Sequence, residues 1–204
     1  MSNTASAAKP VSIGGGVYVG DVGTTLPTDT TTTLASGFTA LGYISTDGVT
    51  HSLNVTTTEH KVWGGTVVAV TREGSVEKIK FKVVDIESVV AWVLAYGEAT
   101  GTLSTGITIK SKEDGTRPTK SYVVDMLLKN NIRKRLVIPC GMVSAVGDVV
   151  YKDNELIGVE LEVTAMADAS GYTSYEYIKS AAASSGNSGS GGSSGGSENT
   201  GGGS

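Results

Sequence analysis

Apolar and polar positions alternate with a period of two along most of this chain. The alternating runs are rich in Val, Ile, Thr and Tyr and break at Gly or Asp-Gly. This pattern predicts strands over residues 16–22, 39–45, 66–72, 76–84, 106–112, 120–129, 136–146, 148–151, 156–167 and 173–178, hence a mainly β protein. Asp114-Gly115 and the polar run Lys152-Asp153-Asn154-Glu155 read as hairpin turns.

One segment departs from period two. Ile86, Val89, Val90, Val93 and Leu94 recur at helical spacing, with Asp85 placed to cap the first turn and Glu87 where the helix dipole favours negative charge. Gly97 offers a left-handed stop. At about 100° per residue, Trp92 and Tyr96 widen the apolar stripe to roughly 200° of the circumference. Two arrangements account for that width. Either the helix is deeply buried, or one flank packs on its own sheet while Trp92 and Tyr96 meet a neighbouring subunit.

Composition narrows the class. The chain has 204 residues, 39% of them apolar, which suits one packed domain; the Gly/Ser-rich stretch from Ser184 to Ser204 cannot bury enough surface to offset its ordering entropy. The expected organisation is an N-terminal arm over residues 1–13, a β domain over 14–180 and a C-terminal tail over 181–204. No apolar run is long enough for a membrane-spanning helix, and the N-terminus reads as neither signal nor anchor. Cys140 stands alone, so it offers no internal disulfide and reads as a small buried residue. A net charge of -4 argues against a protein that grips nucleic-acid phosphates.

Candidate chemistry is sparse. His51 and His60 are nine residues apart in a Thr-rich stretch, without metal-ligand spacing, and read as solvent-facing loop residues. No Gly-x-Ser-x-Gly nucleophile elbow joins a strand to a helix, and Gly14-Gly15-Gly16 precedes a strand without the Gly-Lys-Ser/Thr of a phosphate loop. Arg133-Lys134-Arg135 follows an Asn130-Asn131 turn and lacks interleaved aromatics, so it reads as a solvated turn or a subunit contact. No catalytic residue, cofactor or metal site is expected.

The stretch from Gly14 to Gly65 places in order a strand at 16–22, a loop at 23–36, a strand carrying Gly42-Tyr43-Ile44-Ser45-Thr46-Asp47-Gly48-Val49, and a Thr-rich hairpin ending in Trp63-Gly64-Gly65. This arrangement resembles the siphophage major tail protein, or tail tube protein, family. The resemblance implies two packed antiparallel sheets in a β-sandwich or barrel-like fold, with one flanking helix and a long extended hairpin loop. It further implies a non-enzymatic structural protein whose hexameric rings stack into a tube around a tape measure protein. Tail terminator and distal tail or baseplate proteins would meet its ends, and double-stranded DNA would pass through as transient cargo. Assembly would occur in the host cytoplasm and the product would sit in the virion tail, with no membrane contact.

By position, residues 47–65 become the hairpin that reaches a neighbouring subunit or ring, with Trp63 as its apolar anchor. Asp47, His51, His60, Trp63, Trp92 and Tyr96 are the candidate inter-subunit contacts. Trp63 has a second reading, as a core residue at a strand start with glycines forming a bulge. A hairpin of Thr, Ser, His and Asn has little apolar content to order it on its own monomer, so a partner surface would supply the order.

Two strands carry charge on one face. Lys78, Lys80 and Lys82 alternate with Ile79, Phe81 and Val83, and Glu160 and Glu162 alternate with Val159, Leu161 and Val163. Half-buried antiparallel strands produce this by themselves. In a tube one such face would line the bore and the other would face bulk water. Glu160 and Glu162 are the lumen-facing candidates, because a lysine-lined channel would retain DNA.

The competing class is a carbohydrate-binding or adhesin-like β domain on a phage or cell surface. It would be expected to expose several aromatics on one face, whereas the twelve present fall mostly in predicted core segments.

Overall fold

Val17 and Val19, Ile79, Phe81 and Val83, Tyr122 and Val124, Leu136 and Ile138, and Val159, Leu161 and Val163 are the inward residues of five strands, and all are buried. They meet in a single core. The computed structural model describes residues 6–180. Its elements are β1 (Ala8–Pro10), β2 (Val17–Asp21), β3 (Thr39–Ala40), β4 (Ile44–Lys61), β5 (Val67–Val83), α1 (Val89–Tyr96), β6 (Gly97–Thr102), β7 (Gly106–Ser111), β8 (Thr119–Leu128), β9 (Ile132–Val146), β10 (Val159–Met166) and β11 (Tyr175–Ser180).

The main sheet runs β3-β2-β8-β9-β10-β5-β4, and every strand pair in it is antiparallel. β3 and β4 are neighbours in the chain yet stand at opposite ends of that order. Between them, Leu41 N donates to Val17 O at 2.9 Å while Val84 N donates to Tyr43 O at 2.9 Å. The two ends are therefore stitched together and the sheet curls around its core. β1 and β11 extend it at a second level, pairing with the parts of β8 and β9 that run beyond β2 and β10. β6 and β7 form a separate two-stranded sheet beside α1. The result is the expected mainly β, barrel-like sandwich with one flanking helix and a long hairpin.

The helix differs from its sequence reading. It begins at Val89 with Ser88 at the N-cap, so Asp85 and Glu87 lie ahead of it. Asp85 Oδ1 instead accepts from Glu87 N at 3.0 Å, and its side chain packs so close to Gly42 that a Cβ there would collide with it. The buried face is Ala91, Trp92, Leu94 and Ala95; Val89, Val90 and Val93 are half-buried, and Ile86 is exposed. Two alanines bring the helix close to the sheet, which rotates the buried face away from the valine stripe. The stop is as expected, with Gly97 left-handed at φ 93° and its N–H on Val93 O. Arg117 Nε, donating to Ala95 O at 2.7 Å, satisfies another carbonyl of the last turn.

Strand extents also differ. Residues 66–72 and 76–84 belong to one strand, β5, because bulges absorb the polar break between them. Residues 148–151 form no strand: β9 ends at Val146 opposite Leu161, leaving Tyr151 exposed without a ladder partner. β6 was not foreseen, since Gly-Glu-Ala-Thr-Gly-Thr has no apolar alternation. Cys140 is half-buried. Of the expected arm and tail, residues 1–5 and 181–204 lie outside the described residues.

Candidate assembly surface

β4 and β5 pair from Ile44 opposite Val83 out to Lys61 opposite Val67, and the reversal is closed by Val62 N on Thr66 O at 3.0 Å. Gly64 and Gly65 both have positive φ, 105° and 85°, which a reversal this tight requires. From Val49 to Trp63 there are fourteen residue steps, so at about 3.3 Å per step this arm reaches roughly 46 Å.

Only its base lies over the core. Val49 opposite Phe81 and His51 opposite Ile79 continue outward on the same face as Leu53 and Val55. On β5 a bulge leaves Glu73 unopposed between Gly74 and Arg72, so Val70, opposite Glu59, stays on that same face. Leu53, Val55 and Val70 are exposed, as are Val62, Val67 and Val68 near the tip. The core face thus runs off the domain uncovered, carrying Leu53, Val55, Val70 and Val67 among exposed Thr57, Glu59, Lys61 and Arg72, with Trp63 wholly exposed at its end, at 104% relative accessibility. That exposure overturns the reading of Trp63 as a core residue.

The other candidate contact residues are dispersed. Asp47 lies in a protrusion of β4, where five residue steps from Ile44 to Val49 oppose two steps from Val83 to Phe81, and its Oδ2 accepts from Ser45 Oγ at 2.9 Å. His51 and His60 are on β4 instead of in a loop. His60 Nε2 lies 2.8 Å from Thr71 Oγ1 across the strand pair. His51 is exposed, as expected, but partnered: its Nε2 is 2.6 Å from Glu77 Oε1 and its Nδ1 is 3.3 Å from Glu176 Oε1. Trp92 is buried at 7% exposure, donates from Nε1 to Ile86 O at 3.0 Å, and stacks on half-buried Tyr96 with ring centroids 6.0 Å apart. Its ring therefore points into its own domain.

Glu77 is the residue that sequence reasoning missed. It is buried on the inward phase of β5 and accepts from Thr173 Oγ1 and, at 2.6 Å, from Ser174 Oγ as well as facing His51. Burial pushes its carboxyl upward, but hydrogen bonds from Ser174, Thr173 and His51 outweigh that and hold it below the ordinary Glu range. Lys134 and Glu176 add an ion pair at 2.9 Å, so this cluster fastens the start of β11 across β4, β5 and β9. A charged residue in phase with Ile79 and Phe81 was the available signal.

The charged strands occupy neighbouring places in the sheet. Glu160 sits opposite Lys82 and Glu162 opposite Lys80 in the β10–β5 ladder, with diagonal ion pairs of 2.6 Å from Lys78 to Glu162 and 2.9 Å from Lys80 to Glu160. Lys82 reaches Glu155 at 3.1 Å. The lysines and glutamates therefore share one outward face, so a separation into a glutamate-lined bore and a lysine-covered exterior does not hold. Lys78 in particular holds the Glu162 carboxyl below its usual range.

Arg133-Lys134-Arg135 is not a solvated turn. It lies on β9, where Arg135 is buried and bonded to Asp125. Arg135 Nη1 also donates to Asp29 O at 2.9 Å and Thr32 O at 2.8 Å, clamping the 23–36 loop. Within that loop Asp29 Oδ1 accepts from the hydroxyls and amides of Thr32 and Thr31, which holds its carboxyl far below the usual range.

A comparison with curated proteins returns no match. Uncovered apolar side chains along an arm and at its tip mark an interaction surface, and the family model described as phage tail tube protein matches residues 1–187: the chain belongs to the phage tail tube protein family.

Proposed function

We propose that this structural protein of the virion tail assembles as hexameric rings stacked into a siphophage-type tube, the conduit through which double-stranded DNA is ejected. The observation that carries the reading is the β4–β5 arm, which leaves the core with Leu53, Val55, Val67 and Val70 uncovered and ends in an exposed Trp63. A monomer gains nothing from that exposure, whereas a neighbour burying it gains about 25 cal/mol per Å2 of apolar area. On this reading the rings surround a tape measure protein and are bounded by tail terminator and distal tail or baseplate proteins. They assemble in the host cytoplasm before DNA enters. The mixed Lys/Glu face suits a surface past which DNA slides, since its charges are already compensated by one another. Negative-stain electron microscopy of concentrated protein is expected to show six-fold rings or tubes. A persistent monomer that binds glycans would overturn the proposal in favour of a surface-adhesion module.

A further inference from the structure

At the opposite end of the long hairpin from Trp63 lies a cavity of about 260 Å3. It is a half-open recess whose accessible apolar lining is Pro10, Ile13, Ile44, Val49 and Met126, laid over the buried Val17 and Val124, and the protruding Ser45-Thr46-Asp47-Gly48 segment of β4 flanks one side. Nothing from the described residues fills it. Cavities of about 150 Å3 take up benzene, so by simple proportion this one has room for the nine-atom bicyclic ring of an indole and little more. Drug-sized ligand pockets begin at about 300 Å3.

We propose that this cavity receives Trp63 from a second copy of the chain. The proposal rests on the tube reading above and names the place on the neighbour where the arm ends. Three observations support the match. Trp63 is wholly exposed at the end of a two-stranded arm, so it can enter a recess without unfolding anything. The cavity has the volume of that one side chain. The indole N–H needs an acceptor when buried, and Asp47 Oδ1 at the rim takes no hydrogen bond among the described residues, its partner oxygen being the one held by Ser45.

The placement also dictates the type of assembly. Knob and hole are different surfaces at opposite ends of one element, so the contact is heterologous, and where it joins one ring to the next it propagates head to tail, leaving free knobs at one end of the stack and free holes at the other. Copies joined this way are displaced by no more than the arm's reach. The axial repeat should therefore not exceed roughly 46 Å, the span of fourteen extended residues.

The test replaces Trp63 with photoreactive p-azidophenylalanine, whose nine-atom aryl azide matches the indole in size, in the full chain, mixes isotope-labelled and unlabelled protein, irradiates the assembled material and maps the adducts. Adducts between differently labelled copies at residues 8–17, 44–49 or 124–126 are expected, with Met126→Trp, which fills the cavity, lowering their yield by about thirtyfold or more, as loss of a central aromatic anchor does. Assembled tubes whose adducts map elsewhere, or that give none, would overturn the docking site and leave the tube reading intact. Native protein that never assembles at any concentration overturns the tube reading and this proposal with it.

Discussion

Arg135 and Asp125 form a two-pronged pair across β8 and β9, with Nε 2.5 Å from Oδ1 and Nη2 2.8 Å from Oδ2. Both side chains are largely shielded from water, at 6% and 13% exposure. The remaining guanidinium nitrogen holds the carbonyls of Asp29 and Thr32. Arg135→Met keeps the stem's packing and removes every one of these bonds, stranding the Asp125 charge. The expected loss is about 3–5 kcal/mol of monomer stability, read by denaturant unfolding, with faster amide exchange across residues 24–36. Unchanged exchange in that loop would show that the clamp does not order it.

Glu77 makes the attachment of β11 acid-sensitive. Its folded carboxyl titrates below its ordinary value of 4.5 because Ser174, Thr173 and His51 stabilise the anion against the cost of burial. A depressed carboxyl contributes stability that is fully present above pH 4.5 and is lost as pH falls through the lower folded value. Thermal melting followed from pH 6 down to about pH 3 should therefore show a steeper decline for the native chain than for Glu77→Gln, which has no charge to titrate. In the variant, amide exchange of Tyr175–Ser180 should be fast already at neutral pH. Equal pH slopes in the two proteins would refute the assignment.

The sequence made the strand content, the Gly97 stop and the hairpin legible, since each depends on local alternation or on a residue with special backbone freedom. It did not disclose which charges meet. Lys78 and Glu162 are 84 positions apart and become neighbours only through the β10–β5 pairing, and Arg135 finds Asp29 more than a hundred positions away. Trp63 and Trp92 illustrate the same limit from the apolar side. Each follows a valine or alanine in the sequence, yet one terminates an arm in solvent and the other lies on the buried face of α1, because burial depends on where the sheet ends.

The cross-strand charges separate pairing from net charge. Glu160→Lys with Glu162→Lys puts like charges beside Lys78, Lys80 and Lys82, so the monomer should melt earlier and DNA passage should slow. Adding Lys78→Glu and Lys80→Glu restores both the pairs and the net charge with the signs exchanged. If the face acts through its overall charge, the four-fold variant should regain melting temperature and infectivity together. Recovery of melting temperature with infectivity still lost would mean that the position of each sign matters to the passing DNA.

Trp63→Ala isolates the arm's end from the rest of the fold. The ring touches nothing that stabilises the monomer, so unfolding free energy should stay within about 0.5 kcal/mol of the native chain, as for other surface substitutions, while assembly fails by electron microscopy. Amide exchange gives the physical reason. A two-stranded ribbon is marginal in water without a third strand or a covered face, so in the monomer, residues 55–61 should exchange quickly and protection should rise toward Val49, where the ladder meets the core. Polymerisation of the native chain should then slow exchange along the whole arm, because its apolar face and its tip become covered together. Strong protection at 55–61 already in the monomer would show that the arm is ordered by its own ladder alone, and the need for a neighbour to order it would fall.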